Sequence, residues 1–214
     1  MSGARGSLSL FERGEAGVSL IAAQEILGEM KHSEGFFDAL HSLVSSQGLS
    51  AADIEAWWTN QGPGSFTGLR IGLAAIKGIC LATGAKLVMV DGAEARAQAW
   101  LKESKLAESG TLIVCTYSTV KKSISHRYEW DGQTLSQPTI TFIEQIPEST
   151  PTTHVLTDKN ELSADYFPAK SHHLIHATQQ TTLITAAEIA AATPIYFATH
   201  EYTKQTTQTS AAVV

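Results

Sequence analysis

The stretch Asn60–Gly84, NQGPGSFTGLRIGLAAIKGICLATG, decides how the chain is read. Gly62, Gly64 and Gly68 crowd around Pro63 just ahead of a long apolar run. Glycine permits positive φ and close backbone approach, and proline fixes φ for a tight turn. Ser65 or Thr67 can cap the first turn of a helix. The glycines are spaced GxGxxxG. A dinucleotide loop needs GxGxxG with an acidic residue further on, and a Walker A loop needs GxxxxGK[ST]. Neither fingerprint is met. Two readings therefore stand: a tight structural turn, or a backbone contact for an anion or nucleotide at the helix N-terminus.

The run behind the turn has helical spacing. Gly68, Gly72 and Ala75 fall on one face, where another element can approach the backbone. Phe66, Leu69, Leu73, Ile76, Ile79 and Cys80 cover most of the rest, and Arg70 and Lys77 share one narrow polar stripe. A helix apolar nearly all round is buried, either in its own core or against a second chain. The spacing leaves both open.

Working outward, Gly6–Glu12 alternates Ser with Leu, which is strand periodicity. Arg13-Gly14 is a turn signal and Ala16–Ala23 a partner strand, giving a hairpin. Phe36, Phe37, Leu40, Leu43 and Val44 recur at helical spacing after Ser33, a good N-cap, with Glu34 beside it. Gly48 ends that helix. Asp53–Thr59 and Lys86–Val90 read as buried strands, and Ala93–Leu101 as a helix. A second half begins near Gly110, with strands over Thr111–Ser118, Ser123–Trp130 and Thr153–Asp158 and a turn signal at Asp131-Gly132. Thr182–Ala192 reads as a helix. This order implies an α/β chain in two lobes, residues 1–100 and 101–202, followed by a low-complexity tail over 203–214 expected to be disordered.

The chain has 214 residues, 43% of them hydrophobic and 17% charged, which suffices for a real core. A net charge of -6 argues against gripping nucleic acid unaided, because phosphate binding needs a basic surface. Cys80 and Cys115 lie in apolar runs with no CxxC pair and read as buried reduced thiols. No secretory signal is evident. The run Phe66–Ala82 comes nearest to a membrane span, but Arg70 and Lys77 interrupt it. A cytoplasmic protein is expected.

Gly62–Val88, GPGSFTGLRIGLAAIKGICLATGAKLV, strongly resembles the signature of the TsaB (YeaZ) family. Three further segments agree: Ser7–Glu15 with that family's second strand and turn, Lys31–Val44 with its HSE motif (His32, Ser33, Glu34) and following helix, and Gly48–Gln61 with the lead-in to the signature. The resemblance covers residues 4 to about 100. It implies a degenerate actin-like, ribonuclease H-like ATPase fold. It also implies a non-catalytic subunit that activates a TsaD-like catalytic partner in making threonylcarbamoyladenosine beside the tRNA anticodon. A TsaE-like ATPase would dock on the pair, and tRNA would be reached only through the complex. ATP or ADP and metal would belong to the partner subunits rather than to this chain. The helices after HSE and after the signature would face the partner, placing Phe36, Phe37, Leu40, Leu69, Arg70, Gly72, Leu73, Ile76 and Lys77 at or beneath an interface. The same face would serve a homodimer when the partner is absent. The turn Gly62, Pro63, Gly64, Ser65, Phe66, Thr67 and Gly68 is the place where a nucleotide would touch this subunit, if one does.

The chain also departs from that pattern. The family begins with an apolar strand ending in Asp-Thr or Asp-Ser, whereas only Met1–Gly3 precede Ala4 here. Loss of that interior strand is expected to leave a gap in the sheet with unpaired neighbours, and a start codon assigned too far downstream would explain it. The missing Asp argues against ATPase activity. In the second half, Thr116–Lys122 replaces an Asp-Ala-Arg motif, and Pro194–Thr199 lacks a terminal Arg.

Other constellations are weaker. His172 and His176 are four apart, with His173 between them, but no HExxH glutamate accompanies them and they read as ordinary histidines. His32 and Glu34 sit at a helix start, where a capping role is more economical than acid–base work. The glycoprotease label carried by relatives would need a nucleophile with a base or a metal set, and neither is spaced here. The competing readings are a stand-alone actin-like nucleotide-binding enzyme and a diverged remnant that has lost its partner.

Overall fold

The computed structural model describes residues 6–15, 17–26, 34–106, 108–117, 123–157, 165–167, 170–178 and 180–194. His32, Ser33, Lys121, Lys122 and the 203–214 tail lie outside them.

The Ser/Leu alternation forms β1 (Gly6–Gly14), which pairs antiparallel with β2 (Gly17–Ile26). Helix α1 (Glu34–Ser45) follows and ends where Gly48 takes φ +70°, open to glycine without strain. Asp53 is not in a strand as the sequence suggested. It closes a 3-10 turn, its carboxylate accepting from the Ser50 amide and hydroxyl at 2.8 and 2.7 Å. Strand β3 (Ala56–Gly62) runs parallel to β4 (Lys86–Asp91), joined by α2 (Phe66–Thr83). Helix α3 (Gly92–Ser104) leads to β5 (Gly110–Tyr117).

The second half builds a five-stranded sheet in the order β7-β6-β5-β8-β9, with β6 Ser123–Trp130, β7 Thr139–Ile143, β8 Thr153–Thr157 and β9 Asp165–Tyr166. The Asp131 carboxylate builds the turn after β6, accepting from the amides of Gln133 and Thr134 at 2.8 and 2.7 Å. The chain then returns to the first half. Residues Gln180–Leu183 form β10, antiparallel to β4, and α4 (Ala186–Ala191) packs on α2. One expectation needs correcting. Thr182–Ala192 is not one helix, because Thr181 and Thr182 pair with Met89 and Val88 before Thr185 caps α4. Strand β10 of the 101–202 segment pairs with β4 of the first half.

That sheet, β10-β4-β3, and the β1-β2 hairpin are distinct among the described residues. The main core joins α1 and α2 to the sheet through Phe36, Leu40, Val44, Trp57, Leu73, Ile76, Leu87 and Met89. Burying such side chains is worth about 1.5–3 kcal/mol each. Cys80 and Cys115 are buried free thiols, and burial pushes the Cys80 thiol up to about 11. A second cluster binds α3 to the five-stranded sheet through Ala97, Leu101, Leu112, Val114 and Tyr128.

Candidate functional site

The glycine turn is held from inside. The Asn60 side chain accepts the Gly62 amide at 2.8 Å and donates to the Pro63 carbonyl at 3.3 Å. Gly62 has φ +134° and the Gly62–Pro63 peptide is cis. Gly62 and Pro63 are buried, Gly64 is half-buried, and Ser65, Phe66 and Thr67 are exposed. Ser65 is the N-cap of α2: its hydroxyl accepts the Gly68 amide at 3.2 Å and its carbonyl accepts the Leu69 amide at 2.8 Å. One of the helix's free N–H groups is thus taken by the chain itself.

Helix α2 has two unlike sides. Gly68, Leu69, Leu73, Ile76 and Cys80 are buried in the chain's own core. Phe36 and Leu40 of α1 are buried as well, whereas Phe37 is 55% exposed with its ring edge-on to Phe36. Of the residues assigned to an interface, Phe36, Leu40, Leu69, Leu73 and Ile76 therefore lie beneath the surface. Gly72 is half-buried. Lys77 turns inward and donates to the carbonyls of Ala190 and Ala192, so it is a strut between α2 and α4 rather than a free charge.

The open side of α2 is a row at i, i+4 spacing: Phe66, Arg70, Ala74, Gly78 and Ala82, with Leu81 alongside. The Arg70 guanidinium lies 3.9 Å from the Phe66 ring centroid, a cation–π contact that fixes the charge at the head of the row. Nothing lies within 4 Å of a Cβ built on Gly78. The sequence reading chose the small-residue face of Gly68, Gly72 and Ala75. The i, i+4 row through Ala74 and Gly78 was equally visible, and only packing distinguishes the two. By length and mean hydropathy (1.4) α2 could also cross a bilayer, but its Leu69–Cys80 row is part of the protein core.

A buried polar group beside the turn escaped the sequence reading. Asp91 caps α3, its carboxylate accepting the amides of Ala93 and Glu94 at 2.8 and 2.9 Å. Glu94 accepts the amide and hydroxyl of Thr178, at 3.0 and 2.6 Å. Arg96 donates to the Cys115 carbonyl at 3.3 Å. Burial holds His126 below its ordinary value against the pull of Asp91, and burial with Asp91 and Glu94 pushes the Tyr128 hydroxyl upward. The group joins α3 to β5, β6 and the segment before β10. The signal for it, Asp91-Gly92-Ala93-Glu94-Ala95-Arg96, reads as an ordinary helix start.

Among the described residues no three His, Cys, Asp or Glu converge to hold a metal ion. His173 in the 171–176 turn is buried, stacked on Phe167 at 4.9 Å and 3.9 Å from Glu103.

The family model described as TsaD, tRNA N6-adenosine threonylcarbamoyltransferase, matches residues 27–146, more than half of the chain. The chain belongs to this family. Within the family it is TsaB-like. It is 37% identical over 60 residues to the tRNA threonylcarbamoyladenosine biosynthesis protein TsaB of Escherichia coli K12, covering 28% of this chain and 25% of that protein. It is 33% identical over 96 residues to the tRNA N6-adenosine threonylcarbamoyltransferase of Solidesulfovibrio magneticus, covering 40% of this chain and 26% of that one. The matches thus span about a quarter of the length of these curated relatives. Two solved Pseudomonas aeruginosa structures share the fold. One is described as an uncharacterized protein with similarity to peptidase YEAZ, with a TM-score of 0.68 at 14% identity over 91% of this chain and 95% of that one. The other is YeaZ, with a TM-score of 0.64 at 14% identity over 92% and 96%. The fold is the actin-like, ribonuclease H-like ATPase fold.

Proposed function

We propose that the chain is a non-catalytic scaffold subunit. It binds and activates a TsaD-like catalytic partner in threonylcarbamoyl transfer to the adenosine beside the tRNA anticodon. The observation that carries this reading is the open row on α2, with small residues at Ala74 and Gly78 and with Phe66 and Arg70 at one end. A row of this kind lets a second helix approach closely, and an exposed aromatic with an arginine is typical of an interface centre. The glycine turn supports it, since its polar groups are spent on shaping the entry to α2. ATP or ADP and metal are then handled by the partner subunits, a TsaE-like ATPase joins the pair, and tRNA is met only in the complex. The α2 row would also pair two copies of this chain when the partner is absent, and the setting is the cytoplasm.

Depletion of the chain in its native cell, followed by nucleoside analysis of bulk tRNA, tests the reading. Threonylcarbamoyladenosine is expected to fall. Unchanged levels would sink the proposal, and robust ATP turnover by the purified chain alone would favour a stand-alone nucleotide-binding enzyme.

A further inference from the structure

Strand β7 is the outer strand of the five-stranded sheet, and among the described residues only β6 pairs with it. The direction of its free backbone groups follows from the strands inside it. The Thr111 amide donates to the Thr152 carbonyl at 2.8 Å, so the odd-numbered residues of β5 turn their N–H and C=O toward β8. The even-numbered ones turn toward β6, where Leu112 faces Tyr128 and Val114 faces His126. The odd-numbered residues of β6 therefore turn toward β7, as the Glu129 carbonyl does in accepting the Ser136 amide at 2.8 Å. Ser125 bonds Thr141 and Arg127 bonds Thr139 in this pattern. The N–H and C=O groups of Ile140 and Phe142 are left pointing outward. Their side chains share one face of the sheet and are 40% and 41% exposed.

Other edges of the molecule are blunted. Strand β2 is broken by a bulge at Ile21, and β9 is two residues long and begins with Asp165. Bulges, shortness and charge are the usual devices that stop an edge from recruiting another strand. The β7 sequence Thr-Ile-Thr-Phe-Ile uses none of them. It holds no charge, proline or glycine, and every residue is β-branched or aromatic.

We propose that β7 pairs antiparallel with β7 of a second copy of this chain, about a two-fold axis at Thr141. The strand is its own complement in this register. Ile140 faces the second copy's Phe142 and Phe142 faces its Ile140, so every outward N–H meets an outward C=O. The same pairing makes aromatic–β-branched contacts on one face, and Thr141 meets its own copy. No charge opposes a like charge, because Glu144 just past the strand falls opposite Pro138. That matters in a chain of net charge -6. Neighbouring registers are worse. With the axis at Ile140, Phe142 faces Pro138, which has no N–H. With the axis at Phe142, Ile140 faces the Glu144 carboxylate. The pairing joins two five-stranded sheets into one. Strands of five residues bury less than the roughly 1,200 Å2 of a standard interface, so the dimer is weak and reversible. The inference is independent of the proposed function and of the α2 row.

The first test follows amide hydrogen exchange in the unaltered full chain, residue by residue, from about 10 µM to about 1 mM. The Ile140 and Phe142 amides are expected to exchange about three-fold or more slowly at the highest concentration. Thr139 and Thr141, already bonded to β6, should change less. The second test is sedimentation of the Gly78→Leu chain, in which pairing through the α2 row is removed. Adding Phe142→Lys should weaken its self-association about ten-fold or more. Adding Ile140→Lys with Phe142→Glu instead sets opposite charges across the two-fold register, and should associate about five-fold or more tightly than Phe142→Lys alone. The exchange measurement needs no variant and decides the matter even where one fails to fold. Exchange of Ile140 and Phe142 that is independent of concentration overturns the proposal. So does self-association unchanged by Phe142→Lys, and failure of the charge-paired form to recover overturns the register at Thr141.

Discussion

Gly92 stands where any side chain would overlap the carboxamide of Asn60. The same carboxamide holds the Gly62 amide and the Pro63 carbonyl. The first residue of α3 therefore sets the space in which the glycine turn ahead of α2 is built. Gly92→Ala is expected to push Asn60 off the turn and cost about 1–3 kcal/mol. The loss should appear as a lower unfolding midpoint in urea with unchanged slope. Asn60→Ala should cost a similar amount, about 1–3 kcal/mol, by leaving the buried Gly62 amide unpaired. The double variant should lose less than the sum, because both act on one contact.

Lys77 ties the returning chain to α2. It is half-buried, and its ammonium lies 2.6 Å from the Ala190 carbonyl and 2.9 Å from that of Ala192. Lys77→Met keeps the stem and removes the charge-assisted bonds, so about 1 kcal/mol of stability should be lost, discounted for partial exposure. Amide exchange within Ala186–Ala191 should accelerate more than exchange in α2. Equal acceleration in both helices would show that α4 is not held by this residue.

Much of the first half could be read before the structure. Period-2 alternation marked β1, helical spacing marked α1 and α2, Gly48 marked a stop, and Ser65 or Thr67 marked a start. Those signals are local, so sequence carries them. What it did not carry is which face of α2 finds a partner inside the chain. Gly72 and Gly78 are equally small, and Lys77 looked like surface until α4 returned to take it. Strand β10 was missed for the same reason. Thr181 and Thr182 become strand residues only because β4 offers an edge far away in sequence, a case of tertiary pairing overriding a weak local preference. Among the site residues, the turn was found and the Asn60–Gly92 contact behind it was not, since thirty-odd residues of α2 and β4 separate the two.

Acid should loosen α4 before it reaches the core. The Glu188 carboxylate accepts from the Thr185 amide and hydroxyl, both at 2.9 Å, and from the Ile184 amide at 3.2 Å. The Thr185 hydrogen bonds, then that from Ile184, hold its pKa below the ordinary 4.5. The folded value is the depressed one, so this stabilisation is complete above pH 4.5 and is lost as the pH falls through the folded value. Glu188→Gln is expected to lower the melting temperature at pH 7, with the gap to the parent closing as the pH falls below 4.5 and through the folded value. A gap that stays constant from pH 7 to pH 3 would remove the carboxylate from the explanation.

Gly78 separates folding from docking. Nothing lies within 4 Å of a Cβ built there, and the position is exposed in mid-helix. Gly78→Leu should therefore fold normally and gain up to about 1 kcal/mol from helix propensity. On the row with Ala74 and Arg70, the leucine would hold a second helix away, and affinity for a TsaD-like partner should fall about ten-fold or more, equivalent to at least about 1.4 kcal/mol. Gly72→Leu is the contrast. Gly72 also has open space around a Cβ, but it lines a cleft with β1 and β3 rather than the exposed row. Partner binding by Gly72→Leu should remain within about three-fold of the parent, well under the ten-fold step. Calorimetric titration of the two variants against the purified partner decides the matter. Loss with Gly72→Leu and none with Gly78→Leu would move the docking face to the other side of α2.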